Sequence, residues 1–122
     1  MATHNELGKL GEDMACNVLL SKGYVIRHRN WQAEHCELDI VAQKDNFLVI
    51  IEVKTRSSNY FGNPEKFVTR TKIKRIVKAA QRYIDHYTLD CEMQFDVITV
   101  LKNHDGTFTV EHLEDVVKIW EA

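Results

Sequence analysis

The sequence predicts an α/β fold in one domain covering residues 1–122, on three observations. An amphipathic helical pattern starts the chain, three β-rich segments separated by short polar breaks follow it, and a second amphipathic helix then leads into a β-hairpin pattern. No repeat, low-complexity tract or linker interrupts the order, and the lone proline, Pro64, falls in the one long loop expected, from Ser57 to Glu65.

The elements follow from local chemistry. From about Glu6 to Ser21, the residues Leu7, Leu10, Gly11, Met14 and Val18 recur at helical spacing, and Gly23 supplies a stop. "YVIRH", then Glu37 to Gln43, then Phe47 to Thr55 are rich in β-branched and aromatic residues and read as strands. The second helix carries the stripe Ile73, Ile76, Val77, Ala80 and Ile84. "QFDVITVL" and "TFTVEHL" flank "KNHDG", whose Asp-Gly provides the positive φ that a tight turn needs, and the tail "EDVVKIW" is expected to form a last short helix.

Composition bounds the function. With 44% hydrophobic and 28% charged residues the chain has the means for one real core, and its net charge of −2 gives no global sign of nucleic-acid binding. The N-terminus lacks the grammar of a signal peptide, and no apolar run approaches the roughly 20 residues of a membrane span, so a cytoplasmic protein is expected. The three cysteines, Cys16, Cys36 and Cys91, form no C-x-x-C pair and are expected to be reduced. The six histidines are scattered, only His35 lying beside the acids discussed next, which argues against a zinc site.

The chemistry concentrates in "ELDIVAQKDNFLVIIEVKTRS", Glu37 to Ser57. Asp45-Asn46 can act as a two-residue turn that sets Lys44 against Phe47. Counting outward puts Asp39 opposite Glu52 and Glu37 opposite Lys54 on one face, with Leu38, Ile40, Val49, Ile51 and Val53 on the other. Directly opposed like charges ask for a cation. Hard oxygen ligands on a rigid hairpin suit Mg²⁺ or Mn²⁺, and Lys54 beside them could position a nucleophile, which is the chemistry of phosphodiester hydrolysis. The same residues also read as a salt bridge of Lys54 with Glu52 or Glu37 on a solvated sheet face.

"ELD", twelve residues and then "EVK" resembles the core of the PD-(D/E)-x-K nuclease superfamily. More closely, "LGKLGEDMACNVLLSKGYVIRHRNW", "CELDIVA", "FLVIIEVKTRS", "FGNPEKFV", "KIKRIVKAAQRYI" and "FDVITV" together resemble the small bacterial YraN-like family, endonuclease-like proteins related to Holliday junction resolvases. The likeness runs from about Gly8 to Val100. It implies a restriction-endonuclease-like fold, with a central mixed β-sheet flanked by helices. It also implies Asp39 and Glu52 as metal ligands, Val53 as a backbone-carbonyl ligand, Lys54 as the catalytic lysine and Glu12 as an acid from the first helix. Where family members commonly read Gly-Glu-Ile-Asp, this chain has Cys36-Glu37-Leu38-Asp39. A homodimer is a further implication, because junction resolvases cut two symmetric strands.

Two features stand beside that resemblance. Glu12 falls off the main helical stripe, in a row with Gly8, Ala15 and Leu19 whose small members allow close packing, though an acid early in a helix also suits the helix dipole. Lys66, Arg70, Lys72, Lys74, Arg75, Lys78 and Arg82 precede any acid until Asp85. Lys74, Arg75, Lys78 and Arg82 are expected on the outer helix face as a phosphate-tracking surface, the alternative being a merely solvated face. Arg56 and Lys72 are placed to meet a phosphate near the metal. Asp96 could join the active site but, near a strand start, is expected to be a surface or turn partner; Trp31 is expected to be a packing residue, and Tyr60 a candidate for stacking on a base. The function predicted is a metal-dependent endonuclease acting on structured or branched DNA; the alternative is a nucleic-acid-binding module that kept the fold with little or no activity.

Overall fold

The computed structural model describes residues 4–33, 35–57 and 69–117. The elements are α1 (His4–Ser21), β1 (Val25–Ala33), β2 (Cys36–Lys44), β3 (Phe47–Ser57), α2 (Arg70–Tyr87), β4 (Glu92–Lys102) and β5 (Phe108–Leu113). The strands form one five-stranded sheet in the order β1-β2-β3-β4-β5. All neighbours run antiparallel except β3 and β4, which are parallel, and α2 lies between those two in sequence, as a parallel pair requires a long crossover. A mixed sheet with a helix on each face is consistent with the restriction-endonuclease-like fold.

The two faces have separate cores. Ala15, Cys16 and Leu19 of α1 pack with Ile40, Ala42, Val49, Ile51 and Ile98, while Ile76, Ala79, Ala80 and Tyr83 of α2 pack with Leu38, Val41, Leu48 and Ile50. Each buried Leu, Ile or Val among them contributes about 1.5–3 kcal/mol of hydrophobic stabilisation. The strands β3 and β4 are therefore apolar on both faces, which is why the acids within them stand out.

The first helix is rotated relative to its predicted stripe, of which Gly11 is buried and Met14 packs partly against the core. Leu10 is 43% exposed, whereas Ala15 and Leu19 are fully buried and Gly11 is buried beneath them. Close approach decides this: a β-carbon added at Gly11 would overlap the side chain of Thr55 on β3. Small residues win the interface because they let the backbones meet. Gly11→Ala is accordingly expected to lose on the order of 1 kcal/mol, overpacking outweighing the better helix propensity of alanine. Gly8→Ala in the same helix, where an added β-carbon meets nothing within 4 Å, should instead be neutral or stabilising. Urea denaturation of both variants checks the pair.

On the other side, Thr69 caps α2 by accepting from the Lys72 N–H at 3.1 Å, and Val77 of the predicted stripe is 37% exposed while Ala79 and Tyr83 take its place in the core. Trp31 packs edge-on against Tyr83, with ring centroids 5.0 Å apart, as a packing residue should. The three cysteines are unpaired, and no helix among the described residues is long and apolar enough to cross a membrane. Pro64, the expected loop around it, Tyr60, Lys66 and residues 118–120 of the expected tail helix lie outside the described residues, while Glu114, Asp115 and Val116 of that tail are not helical.

Candidate active site

The turn at Asp45-Asn46 sets the hairpin as its chemistry requires. Asp45 takes a positive φ of 53°, and the pairs run from Lys44–Phe47 to Ile40–Ile51. There the ladder ends, one pair before Asp39 and Glu52 would meet. The strict alternation expected for β2 fails at the same point, because Leu38 belongs to the α2-side core and Ile40 to the α1-side core. The neighbouring strand flips with it: Arg29, paired with Ile40, reaches α1, while Trp31, paired with Leu38, packs under α2, and Asn30 between them has a φ of 55°.

Asp39 sits at this break. Its Oδ2 accepts the Val53 N–H at 2.9 Å. Continuing the hairpin register would give that N–H to the Leu38 carbonyl, so the carboxylate has replaced a strand as the acceptor. Asp39 consequently borders two recesses. On the α1 side it lines a cleft of about 230 Å³ with Glu12, Val53, Lys54 and Arg56; on the α2 side it lines a small recess with Glu37 and Glu52. Burial pushes the Asp39 carboxyl up to about 6; the Val53 N–H opposes the shift, the Glu52 and Glu12 charges add to it, and Lys54 works against it.

Glu52 is 9% exposed and points to the α2 side. Two ammonium groups share its Oε1: Lys54 Nζ at 3.2 Å from the same strand, and Lys72 Nζ at 2.6 Å from the first turn of α2. Burial and the nearby Lys72 pull the Lys54 ammonium below the ordinary lysine value, with Glu52 opposing. Burial also weakens Lys72's hold on its proton, but hydrogen bonding to Glu52 and Lys54 outweighs this and leaves its pKa raised. Glu37, expected opposite Lys54, is exposed and accepts from Gln32 Nε2 at 3.2 Å.

Glu12 reaches the site because α1 rotates its small-residue row inward. Its Oε1 accepts from Arg29 Nε and from Asn30 Nδ2, each at 3.0 Å, so the strand irregularity at Asn30 also fixes this acid. Arg56 lines the same cleft and donates from Nη1 to its neighbour's Thr55 carbonyl at 2.8 Å. The donor set fits a hydrated hard cation. Among the described residues Asp39, Glu52 and Glu12 do not gather as three ligands within 4.8 Å, but Mg²⁺ needs only one or two carboxylates directly and keeps several waters.

The basic residues of α2 line up as its amphipathic pattern requires. Lys74, Arg75, Lys78 and Arg82 are all exposed, on the side away from the buried Ile76, Ala79, Ala80 and Tyr83, whereas Lys72 is half-buried and tied to Glu52.

Comparison with known proteins supports the extent of the resemblance. The model of "Uncharacterised protein family UPF0102" matches residues 11–100. The chain belongs to the UPF0102 family. A UPF0102 protein of Bacteroides thetaiotaomicron is 51% identical over 115 residues, 94% of either chain. One from Flavobacterium psychrophilum is 50% identical over 94% of this chain and 96% of its own, and one from Phocaeicola vulgatus 49% over 94% of both.

The UPF0102 chain holds a second polar centre that sequence reasoning missed. Asp96 is fully buried rather than at the surface. Its Oδ2 meets His112 Nε2 at 2.7 Å, and its Oδ1 accepts from the Asp115 N–H at 2.9 Å and Gln94 Nε2 at 3.0 Å. Lys22 Nζ lies 2.8 Å from His112 Nδ1, and Tyr24 donates to Glu114 at 3.0 Å. Asp96, His112 and Glu114 form an acidic and histidine cluster with metal-ligand composition, their ligand atoms within 4.8 Å of one another, and among the described residues it is the one such group. The available signal was an acid flanked by Phe95 and Val97 within an apolar strand, because a buried carboxylate must find donors.

Proposed function

We propose that this UPF0102 protein is a cytoplasmic, Mg²⁺- or Mn²⁺-dependent endonuclease that hydrolyses phosphodiester bonds in structured or branched DNA. The observation that carries the reading is the Asp39 carboxylate, set where the strand ladder breaks and bordering the recesses that hold Glu12, Lys54 and Glu52. Asp39 and Glu52, with the Val53 carbonyl, would hold the cation. When bound, the metal supplies charge to the phosphoryl oxygen and lowers the pKa of a coordinated water. Lys54 Nζ, with its proton less tightly held than in ordinary lysine, takes or positions a proton of the attacking water and stabilises charge on the transferred phosphoryl group. Glu12, fixed by Arg29 and Asn30, orients water in the cleft. Arg56 and the outer face of α2, Lys74, Arg75, Lys78 and Arg82, bind flanking phosphates, and a homodimer would present two such sites to a symmetric junction.

A cleavage screen over duplex, flap, single-stranded and four-way-junction DNA with Mg²⁺ and with Mn²⁺ tests the reading, with Lys54→Ala as the control for contaminating nuclease. Metal-dependent cleavage by the wild type and not by the variant supports it. Junction binding without cleavage gives the alternative, a nucleic-acid-binding module on the nuclease fold, and neither binding nor cleavage rejects both. Changing Lys74, Arg75 and Lys78 together to Gln is expected to weaken DNA binding across sequences and to reduce the slope of affinity against salt by roughly one for each phosphate no longer neutralised. Fluorescence anisotropy over a salt series measures it, and an unchanged slope would place the DNA surface elsewhere.

A further inference from the structure

Glu52 Oε1 already has cations on it. Lys54 comes from two residues along the same strand, so its reach to Glu52 follows from strand geometry. Lys72 is different: it comes from the start of α2, lies closer to the oxygen, and is held by a Thr69 cap that fixes the backbone it hangs from. A side chain of ordinary length on a basic, solvent-facing helix has been turned inward, while Lys74, Arg75 and Lys78 beside it are exposed. Its target is an acid that is otherwise almost fully enclosed.

We propose that Lys72 is the built-in counter-ion of Glu52, holding the position that a divalent cation needs, so that metal binding and the Lys72–Glu52 ion pair exclude one another. This rests on the nuclease reading of the site and deepens it. An ammonium 2.6 Å from one oxygen of the carboxylate that a metal would use is strongly repelled by a doubly charged ion bound to that carboxylate. Its departure frees a positive charge at the rim of the site, where the fitting partner is a phosphate of the nucleic acid. Metal and nucleic acid then load together: without a phosphate to receive Lys72 the cation competes with the protein's own ammonium, and with one it does not. The coupling is reciprocal, so the metal should also tighten nucleic-acid binding.

Isothermal titration of Mn²⁺ into the metal-free protein tests the exclusion without any readout of cleavage. Lys72→Gln is expected to bind Mn²⁺ about tenfold more tightly than the wild type, in the ordinary range of such couplings. Lys72→Arg, which keeps the charge, should stay near wild type. Arg70→Gln removes one exposed charge a half-turn away and should change affinity by less than about twofold, as screened surface charges do. Equal effects of Lys72→Gln and Arg70→Gln would overturn the inference and leave the metal site standing. Absence of Mn²⁺ binding in every variant would overturn the metal reading itself, and with it this inference; Glu52→Gln serves as the reference for lost binding. Should Lys72→Gln not fold, the ¹⁵N-detected ammonium resonance of Lys72 in the wild type decides: it should shift on Mg²⁺ titration, and an unchanged resonance at saturation rejects the exchange. In the Lys54→Ala background, Mn²⁺ should raise affinity for a four-way junction several-fold, and adding Lys72→Gln should remove most of that gain; an undiminished gain would reject the transfer of Lys72 to phosphate.

Discussion

Asp39→Asn is expected to make the metal-free protein more stable at pH 8, by about 1–2 kcal/mol, while abolishing its stabilisation by Mn²⁺. Asp39 is destabilising when ionised, because burial raises its pKa from the ordinary 3.8 to about 6, and a shift of that size corresponds to at most about 3 kcal/mol. Between those values the folded protein binds more protons than the unfolded chain, so this group's contribution to stability falls as pH rises through 6. The penalty is fully present above that and vanishes towards pH 4. Asparagine removes the charge but keeps an oxygen that can accept the Val53 N–H, which is why the gain is less than the full shift. Urea denaturation at pH 4.5 and at pH 8 should therefore show the variant's advantage only at the higher pH, and millimolar Mn²⁺ should raise the melting temperature of the wild type alone. An advantage that is equal at both pH values would mean that charge at Asp39 is not what costs stability.

The balance between function and stability at Asp39 shows what the sequence could and could not reveal. The register of β2 and β3 was readable from Asp45-Asn46, because a two-residue turn leaves the strands no freedom. Glu52 and Lys54 were readable as a pair because residues two apart on one strand share a face. The break at Asp39 was not, since it requires two strands to flip together, and the cause lies partly in Asn30, a residue with no claim on the hairpin until β1 is known to pair with β2. The leucines of α1 misled because hydrophobicity ranks Leu10 above Gly11 and Ala15, whereas the close approach to Thr55 selects for size. That rotation is what brings Glu12 inward. The inward turn of Lys72 was equally hidden: helical periodicity places it near the rim of the apolar stripe, and only the position of Glu52 below decides which way it reaches. The parallel pairing of β3 with β4 placed Asp96 beside Ile51 in the sheet and so far inside the molecule, against an expectation based on its nearness to a strand start.

Asp96→Ala is expected to be the most destabilising of these substitutions, by about 3–5 kcal/mol, a large part of the roughly 5–15 kcal/mol that stabilises a domain of this kind. Asp96 is the common acceptor for three donors on three segments: Gln94 on its own strand, His112 on β5, and the Asp115 N–H in the chain that follows β5. Alanine removes the acceptor from all three, of which His112 is almost fully buried while Gln94 and Asp115 are half-buried, at about 1–3 kcal/mol for each group left unsatisfied, less whatever water recovers. The adjoining Val116 N–H to Phe95 carbonyl bond, 2.8 Å, depends on the same apposition of the last segment against β4 and should loosen with it. Asparagine should rescue only part. Lys22 donates to His112 Nδ1, which leaves the proton on Nε2 to donate to Asp96, so the amide nitrogen of an asparagine placed there would face another donor; turning the amide over would set it against the Asp115 N–H instead. No tautomer of His112 satisfies Lys22 and that amide at once. Asp96→Asn should therefore lose about 1–3 kcal/mol, between wild type and alanine. Guanidinium denaturation monitored by tryptophan fluorescence gives both values, and a loss below about 1 kcal/mol for Asp96→Ala would show that water, or a metal ion held with Glu114, meets the needs assigned here to the carboxylate.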